Sequence, residues 1–279
     1  MKPTIQREII KALRIDYSVR QICDTLGLNR SSLYYQPKTK PYEEVLLDEI
    51  EKLSMRYPKY GYRRITQMLL RMGYTVGYRR VARIMKTNNL SVYVKHVCQT
   101  TQSLKGMNQW VNRIDDLDIC RRNQVWVGDI TYVRLKERFI YVSVIMDVFT
   151  RVIRACHLSQ HLTQSLTLRP LQEALQQNIP EIHHSDQGVQ YLSSDYISTL
   201  TCHGIEISLS RRGRPWENGY AERLIRTLKE EEVYLNEYDN IVEAKEHINH
   251  FIVEVYNQKR PGSTLCFLTP IEFEQQYLS

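Results

Sequence analysis

The apolar residues of this chain change their period once, and that change decides what each half can fold into. Up to about residue 95 they recur at helical spacing, as Ile5, Ile9, Ile10 and Leu13 do in TIQREIIKALRI. After Arg122 they fall into short runs rich in Val, Ile and Tyr, QVWVGDITYVRL, RFIYVSVIMDV and RVIRACHL, with turns between. That pattern predicts three strands in an antiparallel meander. Helix and strand then alternate: a helix over 163–177, a strand in PEIHHSD, a helix in SDYISTLTCHG and a strand in IEISLS. Long helices are expected over 216–233 and 241–256. An all-helical front is thus joined to a mixed sheet with helices on its faces, and 279 residues suit about two domains.

In the front half, Ser18 can cap a helix VRQICDTLGL that Gly27 breaks, and Asn29-Arg30-Ser31-Ser32 opens another. Two short helices about a glycine turn, the second opening on Arg30 and Ser31, follow the helix-turn-helix plan, which other small helical bundles share. Past a linker marked by Pro37 and Pro41, helices are expected in YEEVLLDEIEKLSMRY, YPKYGYRRITQMLLRMGY and TVGYRRVARIMKTNNL. Arg63, Arg64, Arg79, Arg80 and Arg83 lie on the last two.

Charge sharpens the division. Residues 1–122 carry 23 basic and 11 acidic side chains, a net +12, whereas residues 123–279 carry 15 and 20, a net −5. From Lys52 to Ile114 there are 13 Lys or Arg and no Asp or Glu. A solvated helix face normally interleaves acids with its bases, so these arginines favour phosphate contact over a bland surface. A basic half of this kind predicts a polyanion partner.

Several classes are set aside. No apolar run approaches the roughly 18–20 residues of a membrane span, and MKPTIQREIIKALR has no signal-peptide pattern. The six cysteines are scattered singly without a CxxC, which predicts buried thiols in a reducing cytosol. His247 and His250 lack a companion at metal spacing and read as ordinary helix residues.

Three carboxylates stand out. Asp129 interrupts the strand VWVGDITYV, in which Val125, Val127 and Val133 share one face and Trp126, Ile130 and Tyr132 the other. A carboxylate there needs a metal, an Arg or a cap, unless it turns out at the strand's edge. Asp186 ends the strand EIHHSD, where open α/β sheets place ligand groups, although Asp followed by Gln-Gly also suits an Asx-turn. Glu222 lies on the helix WENGYAERLIRTLKEE and shares a face with Asn218, Arg226 and Lys229. It forms either an exposed pair with Arg226 or part of a metal site facing a phosphodiester. Near it, Arg211, Arg212 and Arg214 either hold phosphates or decorate a solvated loop, and Trp216 either packs under the helix or wedges against a base. His183 and His184 suit strand packing better than proton transfer.

Taken together and in order, LGLNRSSLYY, YPKYGYRRI, W-V-G-D-I-T-Y, HHSDQGVQY, SLSRRGRPWENGYAE, TLKEE and YNQKRPGSTLCFLTPIEF resemble the integrase-like insertion-sequence transposases of the DDE type. The likeness is to the second-frame (OrfB) product and covers nearly the whole chain, with 35 residues between Asp186 and Glu222. It departs at Glu217, where many relatives have Asp, at Gly262, where they have His, and at Cys266, where Gly is common. The resemblance implies helix-turn-helix units over 1–38 and 42–95, a linker over 96–122 and a ribonuclease-H-like catalytic domain over 123–279.

It further implies that Asp129, Asp186 and Glu222 are the catalytic and metal-binding triad. Three carboxylates select a hard cation, Mg²⁺ with Mn²⁺ as substitute, and two ions about 3.5–4 Å apart suit in-line displacement at phosphorus. The expected activity is cleavage and strand transfer of double-stranded DNA at terminal inverted repeats and target. Arg30, Ser31, Arg63, Arg64, Arg79, Arg80, Arg83, Arg211, Arg212, Arg214, Arg226 and Lys229 are its expected contacts. A homo-oligomer on DNA, an upstream first-frame protein and a bacterial cytoplasmic, nucleoid-associated location are also implied. The rival is a non-catalytic DNA-binding regulator or assembly protein; a retroelement integrase would carry a His/Cys zinc module that has no counterpart here.

Overall fold

The computed structural model describes residues 17–27, 41–92, 111–211 and 214–277. Arg30, Ser31 and Arg212 lie outside the described residues, as do Cys98, the helix expected over 4–15 and the one expected after Asn29. The chain forms two compact units, Met1–Glu49 and Ile50–Ser279. In the first, α1 (Val19–Leu26) begins at Ser18, whose hydroxyl accepts the Gln21 amide while the Gln21 side chain reaches back to the Ser18 amide. It ends at Gly27, whose φ of +60° only glycine adopts without strain. Helix α2 covers Pro41–Arg56 and opens on Glu43 and Glu44, which suit its positive end.

The second unit contains α3 (Tyr62–Arg71) and α4 (Tyr78–Thr87), entered at Gly61 and Gly77. Each buries one stripe at helical spacing: Ile65, Thr66 and Leu69 on α3, and Val81, Ile84 and Met85 on α4. The five strands are β1 (Val125–Arg134), β2 (Phe139–Asp147), β3 (Ile153–Ser159), β4 (Ile182–Ser185) and β5 (Glu206–Leu209). They stand in the order β3-β2-β1-β4-β5. The first three pair antiparallel, as their sequence predicts, and β4 and β5 join parallel to β1 and to each other.

Central β1 alternates between two apolar layers. Val125, Val127 and Val133 pack beneath α7 (Gly219–Glu231) and α8 (Ile241–His250), through Ala221, Leu224, Leu228, Ala244 and Ile248. Trp126 and Ile130 face α5 (Ser165–Leu175) and α6 (Ser194–Cys202), through Leu171, Ala174, Tyr196 and Leu200. This is the predicted mixed sheet with helices on both faces. Tyr132 departs from expectation: at the strand's far end it is 59% exposed.

Two helices differ in detail from their sequence signal. The helix expected from Trp216 starts as a 3-10 turn, Pro215–Asn218, and becomes α-helical only at Gly219. The helix from Ile241 widens into a π-helix over Phe251–Asn257. The buried Asn257 at its end accepts the Ile153 amide (3.0 Å) and donates to the Ile153 carbonyl (3.1 Å), occupying the edge of β3. Among the described residues no helix is long and apolar enough to cross a membrane. Cys23 is buried as expected, whereas Cys120, Cys202 and Cys266 are exposed; they lie in loops or at a helix end and contribute nothing to the core.

The C-terminal α9 (Pro270–Gln275) is held to the sheet by charge. Arg154 on β3 reaches Glu274, Asp147 (3.4 Å) and the ring face of Trp126, with Arg154 and Asp147 almost wholly shielded. Removing one partner of a buried pair strands the other charge. Arg154→Met should therefore lower unfolding free energy by about 3–5 kcal/mol in urea titrations; a loss below about 1 kcal/mol would show that the cluster is only surface decoration.

Candidate active site

Asp129 lies partly buried on β1, Asp186 just beyond the end of β4, and Glu222 in the first turn of α7. Parallel pairing of β1 with β4 sets the two strands side by side, with Val127 opposite His184. Burial, followed by the negative charge of Asp186, pushes the Asp129 carboxyl up to about 7, and Glu222 adds to the shift. The Ile130 amide, donating to Asp129 Oδ1 (2.8 Å), and Lys229 oppose it without prevailing. Glu222 is raised by burial and steadied by Arg226. Burial lowers the Lys229 ammonium, which sits 4.3 Å above the Tyr132 ring with the charge of Asp129 in reach. The three carboxylates thus share one electrostatic neighbourhood. They do not form a closed cage: among the described residues no three His, Cys, Asp or Glu side chains gather tightly enough to hold an ion.

The Asx-turn considered for Asp186 is present, since its Oδ1 accepts the Gly188 amide (2.9 Å), and the residue is nonetheless exposed. A Cβ at Gly188 would fall 2.9 Å from that same oxygen.

Support for β1 comes from the neighbouring strand β4, whose two histidines lie on opposite faces of the sheet. His183 is buried, bonds the Tyr196 hydroxyl (2.9 Å), and is pushed down to about 3 by burial. His184 pairs with Ser208 Oγ (2.8 Å) and is held near 4 by burial. Both rings are neutral at physiological pH and pack the strand, as the sequence suggested. Gly128 makes room for this layer: a Cβ there would lie 3.2 Å from the His183 ring and 3.3 Å from that of Tyr191.

Asn218 departs from the helix face that sequence spacing assigns it. It is 3% exposed and donates from Nδ2 to the Gly128 carbonyl (3.4 Å), pinning the start of the Glu222 helix to the strand that carries Asp129. Its Oδ1 is buried with no hydrogen-bond partner among the described residues. The 3-10 geometry of Pro215–Asn218 places this side chain inward, which a continuous helical wheel misses.

The expected phosphate contacts divide into engaged and outward groups. Arg63 and Arg79 are exposed, and Arg83 also points to the surface of α4, whereas Arg80 is partly buried. Arg64 turns inward: its Nη1 donates to Glu231 Oε1 (2.9 Å), and Arg260 holds the same carboxylate from the other side (2.8 Å). Burial and the neighbouring Arg260 pull Arg64 below its usual value. Likewise Arg71 bonds Glu272 and the Phe267 carbonyl (3.1 Å). Within the acid-free stretch from Lys52 to Ile114, Arg64 and Arg71 therefore find their counter-charges more than 150 positions away, which no local pattern reveals.

Arg211 spans Glu217 and Asp115 (3.0 Å), and Arg214 reaches Glu217 (3.4 Å) and caps the Trp216 ring. Trp216 itself is 67% exposed and does not pack under the helix. Glu217 accepts hydrogen bonds from the Arg211 amide (2.7 Å) and guanidinium (2.6 Å).

Burial alone would raise Glu217, but the Arg211 amide and guanidinium, with Arg214, outweigh it and hold the carboxyl below its ordinary 4.5. A carboxyl depressed on folding stabilises fully above its unfolded value, and the contribution is lost as pH falls through the folded one. Wild-type protein should therefore lose its stability margin over Glu217→Gln as pH drops below about 4.5 and keep it constant above. Melting curves that stay parallel down to pH 3 would remove this role from Glu217.

Residues 120–215 and 203–270 match the integrase core domain family, and residues 41–96 match an HTH-like domain. The transposase for insertion sequence element IS904 of Lactococcus lactis subsp. lactis (strain IL1403) is 33% identical over 253 residues, covering 87% of this chain and 99% of that protein. The InsK protein of insertion sequence element IS150 of Escherichia coli (strain K12) is 32% identical over 279 residues, covering 96% and 98%. Among solved structures, a simian T-cell lymphotropic virus intasome in complex with PP2A regulatory subunit B56 gamma matches with a TM-score of 0.50 at 18% identity. That match covers 81% of this chain and 74% of the viral one, a likeness of fold. With the ribonuclease-H-like sheet, the helical front and identity sustained over nearly the whole length, this chain belongs to the insertion-sequence transposases that carry an integrase core domain.

Proposed function

We propose that the protein binds the ends of its insertion sequence and carries out metal-dependent cleavage and joining of DNA strands, with Asp129, Asp186 and Glu222 as the catalytic set. The observation that carries this reading is the carboxyl of Asp129, driven up to about 7 by burial and by Asp186 and Glu222. Carboxylates that destabilise one another, with Lys229 and Arg226 offsetting only part of the effect, fit a hard divalent cation, and an all-oxygen donor set favours Mg²⁺, with Mn²⁺ as substitute. Asp129, Asp186 and Glu222 would be the residues that hold the metal, two ions per site in this reading. When bound, these ions supply the charge that activates an oxygen nucleophile and steadies the leaving oxygen.

The chain's own residues do the rest. The Asn218–Gly128 hydrogen bond keeps the Glu222 helix in register with β1. Lys229, aligned over Tyr132 and drawn towards Asp129, presents a cation to a phosphate beside the carboxylates, and Arg226 does so from the Glu222 side. Arg63, Arg79, Arg80, Arg83, Arg211 and Arg214 are assigned to DNA outside the site, within helical units over 1–38 and 42–95 and the loop before α7. Arg64 is assigned instead to the Glu231 ion cluster. Double-stranded terminal repeats and target DNA are the partners, with the protein acting as a multimer on them.

The test is a nicking and joining assay on oligonucleotides carrying the element's own ends, with Mg²⁺ or Mn²⁺. Asp129→Asn and Glu222→Gln should each lower the rate at least about a hundred-fold while end binding persists, and chelation should stop the reaction. Full activity in either variant would overturn the assignment; binding without any strand chemistry in the wild type would make the protein a regulator.

A further inference from the structure

A second feature lies against the same helix. A cleft of about 690 Å³ runs along the flank of α7, a size that encloses a few chemical groups rather than a broad duplex face. Lys59, Arg151, Arg223 and Arg226 line it, and none of the four forms an ion pair among the described residues. Of the carboxylates along its wall, Glu231 is taken by Arg64 and Arg260, Glu217 by Arg211 and Arg214, and Asp115 by Arg211. Glu230 alone is left to oppose four cations.

Two aromatic rings complete the wall. Trp216 is largely exposed with the Arg214 guanidinium 6.0 Å from its ring centre, and Tyr220 carries Arg151 over its face at 4.6 Å. Exposed rings interleaved with guanidinium groups form a surface on which bases stack while phosphates are neutralised, and the chemistry is indifferent to base identity. Arg226 joins the cleft to the carboxylates, because its charge also acts on Glu222.

We propose that this cleft holds an unpaired stretch of DNA strand next to the cleavage site, its bases on Trp216 and Tyr220 and its phosphates on Lys59, Arg151, Arg223 and Arg226. The assignment rests on the function proposed above and specifies the form of DNA that one face of the Glu222 helix takes.

The test uses the full chain carrying Asp129→Asn, in metal-free buffer, so that binding is read without cleavage. Fluorescence anisotropy compares a labelled oligothymidylate with a hairpin duplex of equal length. Trp216→Ala and the Lys59→Ala/Arg223→Ala double variant, with Trp216 and Arg223 exposed and Lys59 half-buried, should weaken oligothymidylate binding about ten-fold or more and duplex binding less than about two-fold. Unchanged melting temperatures would exclude misfolding. Equal losses on both ligands, no loss on either, or no binding of oligothymidylate by the parent would each overturn the proposal. If Asp129→Asn keeps its strand-joining activity, the triad fails, and the cleft is still judged by the ratio of the two affinities.

Discussion

Asp129 occupies the central strand of a sheet covered on both faces, and the surrounding layout follows from that placement. A carboxylate there loses hydration at a cost of several kcal/mol unless charge or hydrogen bonds compensate. The compensation inside the chain is partial: one amide from Ile130 and the field of Lys229 against burial, Asp186 and Glu222. The neighbouring groups neither neutralise the carboxylate nor let it move. Gly128 admits the His183 and Tyr191 rings close behind the strand, and Asn218 fastens the incoming helix to its backbone. The strand is closely packed and hydrogen-bonded next to the residue whose charge is least satisfied, a combination suited to a group completed by something from outside.

The split of net charge between the two halves of the sequence has a structural outcome that bulk electrostatics does not anticipate. Some of the excess base in the front half is used up internally, as Arg64 meets Glu231 and Arg71 meets Glu272. Arg64 and Glu231 are shielded and, with Arg260, form a charge-assisted cluster whose partners would be costly to strand singly. The Arg71 pair is more exposed and weaker for it. Within the second unit the helices α3 and α4 are therefore packed to the sheet domain rather than hung beside it, and the arginines left outward are a subset of those the pattern picks out.

Much of this fold could be read from the chain because it depends on local terms. Val and Ile alternation placed β1, β2 and β3, and Ser18 with Gly27 bounded α1 through capping chemistry that operates within a few residues. Of the three carboxylates only Asp129 broke an apolar pattern; Asp186 suited a turn and Glu222 a polar helix face, and they became candidates through the ordered motifs that the chain shares with insertion-sequence transposases. Hidden from the sequence were contacts between distant positions: the Arg64–Glu231 pair, the Arg154 cluster, the inward turn of Asn218 and the exposure of Trp216. The last two share a cause. A helical wheel assumes 100° per residue, and Pro215–Asn218 is wound more tightly, so residues before Gly219 are rotated away from their projected faces.

That local tightening gives α7 its three distinct surfaces. Ala221, Leu224 and Leu228 bury against the sheet; Glu222, Arg226 and Lys229 lie towards Asp129; and Arg223, Thr227 and Glu230 border the basic cleft. Because one rigid helix carries all three, a rotation that improved one surface would displace the other two. The helix is fixed at both ends, by the Asn218 hydrogen bond to Gly128 at its start and by the Arg64 and Arg260 guanidinium groups on Glu231 at its end. The end cluster is charged and shielded, so it resists rotation more strongly than the single amide contact at the start. Any adjustment of Glu222 towards Asp129 should therefore pivot about the Glu231 end and move the Asn218 end, where Oδ1 has no hydrogen-bond partner among the described residues.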